Sequence, residues 1–148
     1  MPIIPTGYDE IRGRAQTLAV ILLIGAIGGI LYWVAFFTSG AVQATDHPCY
    51  LVFERAFPAA DAWTAFAAIV AGTALWRRRA HAVLFGIAAG SGFVFLGLMD
   101  VLYNLEHGMY AVRTPEMASE TLINVVCLTL GPVAMAYCWL RRRVLDPR

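Results

Sequence analysis

The chain has 148 residues, 59% of them hydrophobic and 14% charged, with a net charge of +1 and a mean hydropathy of +0.65. That balance is too apolar for an ordinary soluble domain and leaves no basic surface of the kind that binds nucleic acid. It predicts a single all-α domain over residues 1–148, an integral membrane four-helix bundle.

Residues 1–14 are short, polar and proline-containing, and read as a mobile lead-in or a short interfacial segment. Arg12 and Arg14 then precede residues 15–37, which carry no charge. The arrangement resembles the start of a signal peptide, but the apolar run is too long and no small-x-small cleavage pattern follows. It is a first span, with Tyr32 and Trp33 suited to an interfacial aromatic belt.

A loop with Gly40, Asp46, His47 and Pro48 follows. Residues 62–76 are uncharged but too short to cross ~30 Å of hydrocarbon. The second span therefore extends back to about residue 50, covering 50–76, so that Asp61 lies inside the apolar slab. Pro58 either kinks this helix or starts it after a preceding turn. Arg77-Arg78-Arg79 ends it. The third span covers 81–104 and takes in Asp100. Residues 106–118 read as a polar loop. The fourth span covers 119–140, with Ser119 or Thr121 as its cap and Glu120 in its first turn. Gly131-Pro132 is expected to kink it.

If four spans alternate, Arg12, Arg14, Arg77, Arg78, Arg79, Arg141, Arg142, Arg143 and Arg148 fall on one side, nine of the eleven basic residues. Both termini are then cytoplasmic by the positive-inside rule. Seven of the ten acids, Asp46, Glu54, Asp61, Asp100, Glu106, Glu116 and Glu120, lie toward the other side. The expected location is the cytoplasmic membrane of a bacterium or archaeon.

Counting from the arginine ends at ~1.5 Å per residue puts Asp61 and Asn124 at ~22 Å, and Asp100 and Glu120 at ~28 Å. Three helices thus deliver polar groups to one outer-half layer. On ideal helices Glu54 and Asp61 share a face, as do Asp100, Tyr103, Asn104 and His107, and Glu120 with Asn124. Intramembrane ionisable groups are costly and mark functional sites by default. Carboxylates gathered in a low dielectric cannot all ionise. Protonated, such a group donates a hydrogen bond. Ionised, it attracts a cation, an ammonium or a developing carbocation.

The candidate ligand-binding residues are Glu54, Asp61, Asp100, Tyr103, Asn104, Glu120 and Asn124. No catalytic residue is assigned, and no cofactor or metal is implied. Cys49, Cys127 and Cys138 lack metal-ligand spacing, and Cys127 and Cys138 lie too far apart along one helix to bridge. Asp46-His47 and Glu106-His107 put two acid–His pairs on adjacent loops, also without ligand spacing. Gly86-x-x-x-Gly90 reads first as packing within the chain, with a homodimer as the alternative.

Three features carry a family resemblance. Glu54 precedes Phe57-Pro58, Asp100 stands at the outer end of the third span, and Glu120-Thr121 is followed by Cys127-Leu128-Thr129-Leu130-Gly131-Pro132. Over residues 50–141 the chain resembles the EXPERA family, the sterol isomerases and their non-catalytic, ligand-binding relatives. The resemblance implies four or five spans and buried carboxylates around a lipid-accessible cavity. The isomerases' H-x-x-x-E pair is absent, since His47 and Glu54 straddle a loop.

The leading expectation is a protein that binds a hydrophobic or amphipathic ligand, a membrane lipid, isoprenoid or sterol-like molecule. One alternative is a structural or accessory subunit whose acids only hold helices or a partner together. The other is a proton-coupled double-bond isomerase or carrier, in which one carboxylic acid donates a proton and a second stabilises the cation.

Overall fold

The computed structural model describes residues 7–146. Residues 1–6 of the expected lead-in, and Arg148 of the arginine count, lie outside the described residues. The described residues contain helices and no strand: α1 (Gly7–Thr38), α2 (Pro48–Glu54), α3 (Pro58–Trp76), α4 (Ala82–Glu106), α5 (Pro115–Leu140) and α6 (Arg142–Leu145), with a 3₁₀ turn at Met109–Ala111. Four passages, α1, α2 with α3, α4 and α5, are long and apolar enough to cross a membrane.

The boundaries follow from local chemistry. His47 caps α2, its Nδ1 accepting from the Cys49 N–H at 3.3 Å, and Pro48 occupies the first turn, where a missing N–H costs nothing. Pro58 likewise starts α3. The second passage is therefore two helices with a turn at residues 55–57, and the shared face expected for Glu54 and Asp61 on one continuous helix does not exist. The start of the fourth passage is also corrected. Thr114 is the cap, its hydroxyl accepting from the Met117 N–H at 3.2 Å, with Pro115 and Glu116 in the first turn. Thr-Pro-Glu supplies a capping oxygen, a preset φ and a favourable charge, so it outranks Ser119 and Thr121. Glu120 sits in the second turn and is buried.

The first passage starts earlier than expected too. Residues 7–14 are helical and continuous with α1, and Tyr8 and Ile11 are buried, so this stretch is not a mobile lead-in. The Tyr8 hydroxyl donates to the Leu75 carbonyl at 2.7 Å, and Arg78 reaches Asp9 at 3.3 Å while lying 4.6 Å from the centre of the Tyr8 ring. Arg78 adopts a left-handed φ of 56°, which closes α3 by turning the Arg79 N–H onto the Ala74 carbonyl at 2.8 Å.

The helices pack in the order α1, α3, α4, α5, each along its neighbour, while α1 and α5 make no extended contact. At the arginine end the two still meet, where the Tyr137 hydroxyl donates to the Ile11 carbonyl at 3.4 Å. The core of this half is built from small residues: Ala15, Ala19, Ala67, Ala68, Ala71, Ala82, Ala89 and Ala134 are all fully buried. Without a hydrophobic drive between helices in lipid, close backbone approach is the means of packing. It is tightest between α4 and α5. A β-carbon on Gly90 would fall 2.6 Å from the Gly131 carbonyl oxygen, and one on Gly86 would collide with the Cys138 sulfur. The Gly86-x-x-x-Gly90 face therefore packs within the chain.

At the acidic end a second, aromatic core gathers Phe36, Ala44, Tyr50, Met109 and Met117. Between the two cores, α1 and α5 stand apart.

Candidate functional site

The gap between α1 and α5 holds a cavity of about 330 Å³. Its carboxylates come from three passages: Glu54 and Asp61 from the second, Asp100 from α4 and Glu120 from α5. No basic residue lines it. The remaining wall is apolar, with Phe93, Leu96, Cys127 and Leu130 inside. Leu122, Ile123 and Val126 form its rim on α5, and each is more than a third exposed.

Glu120 is the most fully bonded of the acids. It accepts from the Tyr50 hydroxyl at 3.1 Å through one oxygen and from the Asn104 amide at 2.7 Å through the other. Tyr50 in turn accepts from the Ala44 N–H at 3.3 Å. One buried carboxyl thereby ties α2, α4 and α5 together and links them to the loop after α1. Glu54 is also buried, with the Tyr32 hydroxyl close to its carboxyl. Asp61 lies close to the Trp33 indole N–H. Asp100 stands within electrostatic reach of Glu54, Asp61 and Glu120.

Of the seven candidate residues, Glu54, Asp61, Asp100 and Glu120 line the cavity. The other three do not. Asn104 sits behind Glu120, fully buried. Asn124 is buried with its amide 3.5 Å from the Tyr110 hydroxyl. Tyr103 faces another way, sandwiched between Phe53 and His107 at centroid distances of 4.0 Å on both sides. The polar stripe expected on α4 is thus two stripes. Asp100 and Asn104 turn toward α5, while Tyr103 and His107 stack toward α2.

The acid–His pairs of the loops are occupied locally. His47 serves as a helix cap, and His107 Nδ1 lies 2.9 Å from the Tyr103 carbonyl. Among the described residues no group of three or more His, Cys, Asp and Glu is arranged to hold a metal ion.

Sequence reasoning missed the contribution of α1. Tyr32 and Trp33, read as belt residues, turn inward against Glu54 and Asp61. Gly25, Gly28 and Gly29 form the wall below them. The signal was present: Gly25, Gly28, Gly29 and Tyr32 follow the i, i+3, i+4, i+7 repeat of one helix face. Beta-carbons on Gly28 and Gly29 would meet nothing within 4 Å, so the missing side chains are part of the open volume. No protein-family model, no curated protein and no solved structure matches this chain.

Proposed function

We propose that the chain is an integral protein of a bacterial or archaeal cytoplasmic membrane, with its arginine end cytoplasmic, and that it binds a hydrophobic or amphipathic molecule drawn from the bilayer. The orientation rests on the arginines clustered at one end of the bundle. The ligand's apolar body lies between α1 and α5, and its polar or cationic head meets Asp61 and Asp100. The observation that carries this reading is a cavity walled by four carboxylates and no base, set behind an apolar rim between two helices that do not close on each other. Its volume lies at the low end of the range for small-molecule sites, ~300–1,000 Å³. The EXPERA resemblance points the same way.

A second reading is favoured for Glu120 alone. Its two hydrogen bonds, to side chains on different helices, make it a tie between helices first and a ligand contact second.

The test uses native mass spectrometry of protein purified in nanodiscs. The wild type is expected to carry a bound lipid-like species. Gly28→Leu places a side chain in open space within the cavity, and is expected to lose that species while keeping the wild-type melting temperature. Identical bound species in both proteins, or none in either, would overturn the reading. A protein whose acids only hold helices together has no reason to respond to Gly28→Leu.

A further inference from the structure

Behind the cavity, the α4–α5 seam contains oxygen atoms with nothing to satisfy them. The side-chain oxygens of Asn104 and Asn124 are buried and have no hydrogen-bond partner, with residue exposures of 0% and 2%. A stranded buried acceptor is costly, and each one in a folded protein calls for an explanation.

The packing register places the two asparagines one turn apart along the seam. Along the antiparallel pair, Gly86 faces Cys138, Gly97 faces Cys127, and Asn104 faces Glu120. Continuing that register sets Asn124 opposite Asp100. Two turns of α4 carrying Asp100 and Asn104 therefore meet two turns of α5 carrying Glu120 and Asn124. Together the four side chains carry two carboxylates and two amide oxygens. The Asn104 amide N–H is already spent on Glu120, and the Asn124 amide points to Tyr110.

We infer that Asp100, Asn104, Glu120 and Asn124 form a binding site for a hard, oxygen-coordinated cation of the sodium or calcium type. Such ions take carboxylate and amide oxygens in preference to nitrogen or sulfur. The flanking chemistry agrees. The seam carries no lysine, arginine or histidine, and the cavity beside it is lined by no base that would compete for the carboxylates. A bound ion would satisfy both orphan acceptors and offset the repulsion between Asp100 and Glu120. It would also tie α4 to α5 at the level of the cavity, so that occupancy of the seam sets the shape of the adjoining wall.

The experiment follows thermal unfolding of the full chain in nanodiscs against sodium chloride, calcium chloride and choline chloride at matched ionic strength. A saturable rise in melting temperature with sodium or calcium, absent with choline, is expected. Asn124→Leu should move the half-saturating concentration up by about tenfold or more. Asn124→Asp, which adds charge without changing shape, should move it down, and it keeps the test decisive if the leucine variant fails to fold. Equal responses to all three salts would overturn the proposal, as would a wild-type response in Asn124→Leu or no gain in Asn124→Asp. The same titration on Gly28→Leu should match the wild type, so a failed ligand reading would leave this result standing.

Discussion

The two ends of the bundle use the same residues for opposite purposes. At the arginine end glycine removes a side chain so that two backbones can touch, as Gly90 and Gly131 do. At the acidic end Gly28 and Gly29 remove side chains and nothing takes their place. The tyrosines divide similarly. Tyr8 and Tyr137 each donate to a backbone carbonyl of a neighbouring helix and close the arginine end, whereas Tyr50 and Tyr32 attend to carboxyl groups. The arginine end is built by minimising distance between helices, whereas below the aromatic core of the other end α1 and α5 are held apart. A bundle with free energy of only ~5–15 kcal/mol can spare one such end if the other is well packed.

The comparison breaks if both kinds of glycine behave alike. Gly131→Val should be the most damaging change. Its β-carbon would lie 2.7 Å from the Gly90 carbonyl oxygen and from a Val94 methyl, and overpacking of this kind costs ~1–3 kcal/mol or more. Unfolding by increasing denaturing detergent should register it as a large loss of stability or as failure to assemble.

Glu120→Leu comes next. It strands the Tyr50 hydroxyl and the Asn104 amide, and a loss of ~2–3 kcal/mol is expected in the same assay. Tyr8→Phe removes a single bond to Leu75 and should cost ~1 kcal/mol. Gly28→Ala should be the mildest, and of opposite sign. Within a helix alanine is favoured over glycine by ~0.5–1 kcal/mol, and here the new methyl meets no neighbour. A destabilising Gly28→Ala would mean that α1 presses on α5 in the membrane and that the gap is not open.

Much of the bundle was legible because long uncharged runs bounded by arginines leave few alternatives. The four passages and the clustering of arginines follow from that pattern alone. The boundaries that sequence misjudged are those where polar residues form helix. Residues 7–14 carry charges and read as a lead-in or interfacial segment, and 115–118 read as loop, yet Tyr8 finds Leu75 and Thr114 caps Met117. Tertiary contact and capping decided both.

At the site, the acids stood out because charge inside an apolar run is conspicuous. Tyr103 stands apart from the cavity, since helical periodicity gives a face and not a direction, and its stacking on Phe53 depends on where α2 lies. The role of α1 was hidden for a related reason. Glycines, a tyrosine and a tryptophan in an apolar helix have an ordinary packing or belt meaning, and only the separation of α1 from α5 turns them into a wall.

The turn at residues 55–57 has a consequence of its own. Glu54 ends one rod and Asp61 rides in the first turn of the next, and Pro58 has no N–H to lose at the joint. The spacing of these two acids is therefore set by a connector and not by a helical repeat. Adding or deleting a residue in that connector would re-aim one acid and leave both rods seated. Descendants of this chain have at that joint an inexpensive means of retuning what the cavity admits.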